Sequence, residues 1–175
     1  MATLLERLDA RDRALFARWA LERSAARYAR SFWAALTHLG GAWCSIAVAL
    51  LPPLGVAFID AGRLPLLFLV VSHLVIQALK RSIGRARPSC WRVEAAIVDA
   101  PDRFSFPSGH AAAAMSVALG FACEFPDLAA PLVLLAAFVG ISRVVLGVHY
   151  PGDVLVGQAI AVMTALALIL LGVTP

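Results

Sequence analysis

The sequence predicts an all-α integral membrane protein of about five transmembrane helices, preceded by an amphipathic N-terminal helix, and three observations carry that expectation. Hydrophobic residues make up 61% of the 175 and charged ones only 15%, a balance too apolar for a soluble core of this size. Runs without Asp, Glu, Lys or Arg extend from Ser31 to Ile59, Leu64 to Leu79, Ser108 to Ala122, Leu128 to Ser142 and Val154 to the C-terminus. Each is near the roughly 20 apolar residues that cross a ~30 Å hydrocarbon layer, the shorter ones aided by snorkelling flanks. The chain divides into an interfacial segment over 1–30 and a transmembrane domain over 31–175.

Taken in order, residues 1–30 alternate charge with Leu, Phe and Trp. On a helical wheel Leu4, Leu5, Leu8, Leu15, Phe16 and Trp19 gather on about a third of the circumference. Asp12 falls inside the same arc, and the register is lost after Arg23. This reads either as a helix lying on the membrane surface or as a solvated basic helix. No cleavable signal is expected, because the first apolar run follows a long mixed segment. The first span contains "LLPPLG", whose paired prolines should kink or end it. The second ends in "HLVIQALKRSIGRARPSCW", a loop from Pro88 to Pro107 leads to the third, and "ISRVVLGVHYPGD" joins the fourth to the fifth. Cys44, Cys90 and Cys123 have neither metal-ligand nor disulfide spacing and read as packing residues.

Polar groups concentrate where the spans meet water. In "FPSGHAAAAMS", Pro107 keeps Phe106 out of a helix, Ser108 is a good helix cap, and Gly109 lets a ligand approach the backbone. Free N–H groups at a helix start favour an anion, although an ordinary cap with His110 at the interface would look the same. Lys80 and Arg87, seven apart, should share one face of a helix extending just past the membrane, with Pro88 placing Arg87 at or beyond its end. Snorkelling suffices for Arg81 and Arg85. Gln77 and His73 continue a polar stripe into the span, by default a functional feature, while a hydrogen bond from His73 to a neighbouring helix is the plainer reading. Arg143 ends the fourth span; His149 and Asp153 flank Pro151, a favoured first helical residue, so Asp153 should reach back to the imidazole.

The second and fourth spans end, and the third and fifth begin, on one side, so these clusters converge. Two histidines, a carboxylate, three cations and a helix N-terminus suit phosphoryl transfer. Arg and Lys clamp the oxygens, one histidine attacks phosphorus, and the other protonates the departing oxygen. No cluster of carboxylate ligands is visible, so a mechanism without metal or other cofactor is expected.

These residues resemble a known family, the type 2 phosphatidic acid phosphatases, related in active-site architecture to vanadium haloperoxidases and bacterial acid phosphatases. The family pattern is Lys, six residues, Arg-Pro; then Pro-Ser-Gly-His; then Ser-Arg, five residues, His, three residues, Asp. The chain reads "KRSIGRARP", "PSGH" and "SRVVLGVHYPGD", matching in type and spacing across residues 80–153. The resemblance implies His149 as nucleophile forming a phosphohistidine, Asp153 as its support, and His110 as the acid and then base. Lys80, Arg87, Ser108, Gly109 and Arg143 would hold the phosphate, and Ser142 matches the motif. With a membrane chain, it implies a lipid-anchored substrate: an isoprenyl pyrophosphate or monophosphate, phosphatidic acid or phosphatidylglycerophosphate. The alternatives are a lipid phosphotransferase using the same phosphohistidine, or a non-catalytic transporter or scaffold that binds lipid phosphate.

The expected partners are that lipid and the bilayer, not nucleic acid, since the net charge of +4 is accounted for by membrane flanks and the phosphate site. No feature specifies an oligomeric state. Five spans put the N-terminal segment on the active-site side, leaving Arg63 alone among Lys and Arg on the other. The positive-inside rule then favours a cytoplasmic active site, in a bacterial inner membrane.

Overall fold

The computed structural model describes residues 4–22, 24–51, 63–88, 97–98 and 102–173. Their helices, in chain order, are α1 (Leu4–Trp19), α2 (Arg27–His38), α3 (Ala42–Leu50), α4 (Leu64–Ile83), α5 (Gly109–Glu124), α6 (Ala129–Val145) and α7 (Pro151–Leu170). A 3-10 turn over Pro126–Leu128 leads into α6. Among the described residues the extended pairing is confined to a bridge between Ala86 and Phe104. Pro52, Pro53 and the far end of the first span lie outside the described residues, as does Cys90.

The bundle is organised around α5, against which α3, α4, α6 and α7 all pack. Its sequence explains this position. Ala112, Ser116 and Gly120 recur every fourth residue, and small residues let helix backbones approach closely where lipid supplies no hydrophobic drive between helices. Ser72 of α4 and Ser116 of α5 share a 2.6 Å hydrogen bond between buried hydroxyls. Large apolar side chains on the outer helices point away instead: Leu74, Leu134, Leu155, Met163 and Leu170 are all exposed, as a lipid-facing surface requires.

Three helical segments are long and apolar enough to cross a membrane: Leu64–Ile83, Pro126–Val145 and Pro151–Leu170, with mean hydropathies of 1.6, 2.2 and 2.1. Helices α2 and α3 make a fourth crossing if counted as one, bent by 47°. At 16 residues, α5 is about 24 Å long, shorter than the hydrocarbon layer but enclosed by its neighbours.

The first span is broken well before its prolines, at Leu39–Gly41. A Cβ on Gly40 would lie 2.7 Å from the carbonyl oxygen of His110 and 2.6 Å from Val139 Cγ1, so the break presses bare backbone onto the start of α5. The second departure concerns Lys80 and Arg87, which do not share a helix. Gly84 adopts the left-handed conformation, φ 63°, and its N–H caps the Lys80 carbonyl. This glycine stop ends α4 before Arg87, which lies in the following segment near the Ala86–Phe104 bridge.

Candidate active site

The residues predicted from sequence converge where α4 and α6 end and α5 and α7 begin. Ser108 is the N-cap of α5, its hydroxyl accepting the Ala111 N–H at 3.5 Å. Its own N–H donates to the Asp153 carbonyl at 2.9 Å, tying the start of α5 to the first turn of α7. Gly157 makes that junction possible, since a Cβ there would stand 2.5 Å from the Ser108 carbonyl oxygen. As first helical residues, Gly109 and His110 have N–H groups with no partner inside the helix.

A cavity of about 420 Å³ opens beside this helix start, lined by Lys80, Arg87, Asp102, Gly109, His110 and His149, with His73 and Gln77 on its wall. Ser108 and Arg143, 0% and 2% exposed, stand behind that lining. The Gln77 amide donates to the His73 imidazole at 3.2 Å along α4, so within the structure their hydrogen bond stays on one helix.

Each cation is held differently. Arg87 uses four of its five N–H groups: Nε donates to the Asp102 carbonyl at 2.7 Å, Nη2 to Asp102 Oδ1 at 3.0 Å, and Nη1 to the Val148 carbonyl at 2.9 Å. Nη1 also lies 3.0 Å from His149 Nε2, which accepts from it as a neutral imidazole. Lys80 Nζ donates to Asp102 Oδ2 at 2.7 Å. Arg143 donates from Nη1 to Thr37 Oγ1 at 2.6 Å, whereas its buried Nε and Nη2 have no partner among the described residues. Unpaired charged donors at such depth are costly, and a bound anion is what would satisfy them.

His149 is 1% exposed. Burial, followed by the charges of Arg87, Arg143 and Lys80, holds its imidazole well below its ordinary pKa, so it is an uncharged base near neutral pH. Its Nδ1 lies 3.6 Å from Asp153 Oδ2, beyond a hydrogen bond. Asp153 instead accepts the Tyr150 N–H on Oδ2 at 2.8 Å and Arg85 Nη1 on Oδ1 at 2.7 Å. The carboxylate therefore sits beside the imidazole, as the spacing predicts, with its oxygens engaged elsewhere. Burial raises the Asp102 carboxyl, but the hydrogen bonds and charges of Lys80 and Arg87 outweigh that and hold it below the usual range.

Three participants were not legible as such. Thr37 is a hydroxyl in a featureless apolar run. Asp102 lies in an irregular loop where no periodicity fixes its direction. Arg85, sufficiently explained in sequence as a snorkelling residue, is engaged by Asp9, Asp12 and Asp153; the available signal was Asp12 within an apolar arc. Among the described residues no three His, Cys, Asp or Glu side chains gather as a metal site.

Several known proteins resemble this chain. The lipid A 1-phosphatase of Rhizobium johnstonii is 39% identical over 95 residues, 51% of this chain and 39% of that protein. The decaprenylphosphoryl-5-phosphoribose phosphatase of Mycobacterium tuberculosis is 41% identical over 92 residues, 51% of this chain and 49% of the relative. Thus the chain spans half or less of the length of these curated relatives. Phosphatidylglycerophosphatase B of Bacillus subtilis is 32% identical over 149 residues, 73% of this chain and 68% of its own length. The crystal structure of the transmembrane PAP2-type phosphatidylglycerolphosphate phosphatase from Bacillus subtilis superimposes with a TM-score of 0.75 at 26% identity, covering 92% of this chain and 84% of that one. Aquifex aeolicus LpxE shares the fold, with a TM-score of 0.71 at 23% identity, covering 88% and 92% of the two chains. All three motifs fall within residues 62–174, the stretch that matches the PAP2 superfamily model, and the chain belongs to that superfamily.

Proposed function

We propose that the protein is a metal-independent membrane lipid phosphatase acting through a phosphohistidine. The observation that carries the reading is the buried, uncharged His149 beside three cations, with Arg143 Nε and Nη2 lacking partners among the described residues. In this reading Lys80, Arg87, Arg143 and the α5 start, Ser108 and Gly109, clamp the phosphate oxygens. His149 Nε2 attacks phosphorus as the bond to the lipid oxygen breaks, and His110 donates the proton that oxygen takes up. His110 then removes a proton from water, whose oxygen attacks the phosphohistidine, releasing phosphate and restoring His149. Asp153 favours the imidazolium character that develops on His149. Loss of one clamp donor should cost roughly 3–4 kcal/mol of transition-state stabilisation, by analogy with oxyanion-hole donors.

The substrate class is a lipid monophosphate or pyrophosphate. Support comes from the apolar outer surface and from the relatives, whose names specify lipid A 1-phosphate, a decaprenyl-linked phosphoribose and phosphatidylglycerophosphate. The membrane is a bacterial inner membrane, with the site facing the cytoplasm on the strength of the sequence's charge asymmetry.

The test is phosphate release by the purified protein with chelator present, against isoprenyl pyrophosphate, isoprenyl phosphate, phosphatidic acid and phosphatidylglycerophosphate. Release that survives chelation and vanishes in His149→Ala is expected. Equal release by His149→Ala would overturn the mechanism, and silence on every lipid would overturn the activity.

A further inference from the structure

Arg85 occupies a position the phosphate clamp does not use, yet its contacts lead directly to the site. Its Nη1 lies 2.7 Å from Asp153 Oδ1 and 2.8 Å from Asp12 Oδ2, and its Nη2 lies 2.7 Å from Asp9 Oδ1. The guanidinium also rests 4.2 Å from the centre of the Tyr150 ring. Tyr150 in turn meets Phe16 of α1 edge-on at 5.5 Å, and Phe16 packs with Ala111, Val144 and Val154. Asp12 makes a second bond to the same place, accepting the Gly152 N–H in the first turn of α7 at 2.7 Å. Helix α1 is thus docked at two points within a few residues of Asp153.

Asp153 is 0% exposed, and a buried carboxylate without a charge partner is expensive enough to favour its protonated form. A protonated Asp153 has no charge with which to favour an imidazolium on His149. Arg85 is its ion-pair partner among the described residues besides the uncharged His149. Because Arg85 extends from beyond the end of α4 and is part exposed, its orientation depends on the α1 carboxylates that hold its other edge. A fork geometry of this kind is specific to arginine.

We propose that Arg85 is a positioning residue that keeps Asp153 charged and oriented behind His149, and that α1, through Asp9 and Asp12, holds Arg85 in place. This rests on the reading of His149 and Asp153 above. The chain ahead of the first span therefore belongs to the catalytic unit rather than serving as a membrane anchor alone.

The test is steady-state phosphate release from the best lipid of the panel, using the full chain in detergent, for Arg85→Gln, Arg85→Lys, Asp12→Asn and Asp153→Asn, with the exposed Arg18→Gln on α1 as control. Arg85→Gln should lower kcat about tenfold to a hundredfold, by analogy with the outer-shell partners that orient metal ligands, with little change in KM. Arg85→Lys should recover part of that loss and Asp12→Asn should show a smaller one, while Arg18→Gln stays at wild type. In the Arg85→Gln, Asp153→Asn double variant the losses should not multiply, because both act on one carboxylate. Wild-type kcat in Arg85→Gln alongside an inactive Asp153→Asn refutes the proposal alone; activity retained by both His149→Ala and Asp153→Asn refutes the underlying reading instead. If Arg85→Gln does not fold, Asp12→Asn and Arg85→Lys decide, and wild-type kcat in Asp12→Asn or multiplicative losses with Asp153→Asn count against the proposal.

Discussion

Thr37 offers the sharpest test of how the site is built, because it lies outside residues 62–174 that match the family model yet touches the clamp. Its hydroxyl accepts Arg143 Nη1 at 2.6 Å, with Thr37 3% and Arg143 2% exposed. Thr37→Val keeps the shape and removes the acceptor, leaving a further buried guanidinium donor unpaired. A hydrogen bond to a charged group contributes about 1.5–3 kcal/mol. If that energy orients Arg143 in the transition state, kcat/KM should fall roughly 10- to 150-fold. The assay is phosphate release in detergent across lipid concentrations, with thermal unfolding measured in parallel. Thr37→Ser, which retains the hydroxyl, should remain near wild type. A Thr37→Val enzyme with wild-type kcat/KM, beside an inactive Arg143→Gln, would refute the reasoning, since Arg143 would then need no support from α2.

Gly157→Ala forces a methyl to within 2.5 Å of the Ser108 carbonyl; about 1–3 kcal/mol of destabilisation should lower both Tm and kcat, and unchanged values of both would dismiss the close contact. Asp102→Asn should melt below wild type at pH 7, because a carboxyl held below its unfolded pKa contributes stability above that pKa. With the side chain 38% exposed the effect should be under about 1 kcal/mol, closing as pH falls below about 4; a gap that persists into acid would exclude the ion pair as its source. Inorganic phosphate at a hundred times its Kd should stabilise the protein by about 2.7 kcal/mol, visible as a raised Tm. Arg143→Gln should lose most of that shift, and a full shift in the variant would remove Arg143 from the clamp.

Much of this arrangement was legible because the motif residues lie at helix ends, where local chemistry sets geometry. Ser108 caps α5 and Pro151 opens α7, as residue type alone predicts. The apolar runs gave α4, α6 and α7 because their composition survives any choice of packing. Where sequence reasoning fell short, a tertiary contact intervened. The spacing of Lys80 and Arg87 predicts a shared helix, but Gly84 ends it, and they meet through Asp102 instead. The first span reads as one apolar run, but its bend is set by Val139 and His110 on other helices, which no periodicity within the run encodes. Arg85 reads in sequence as a snorkelling cation because its partners lie more than sixty positions away. Asp12, out of place on its own helix, belongs to the start of α7.

Gly40 and Gly157 lay backbone against the carbonyls of His110 and Ser108 with no side chain between. Contacts of this kind have no rotamers to adjust and no methyl groups to shift, so the start of α5 is mechanically stiff from two directions. Space is left elsewhere, in the apolar cavity of about 370 Å³ between α3 and α4, bordered by Ile46, Leu66, Val70 and Leu74. The molecule thus divides its packing: bare backbone meets bare backbone at the start of α5, while open apolar space lies between α3 and α4.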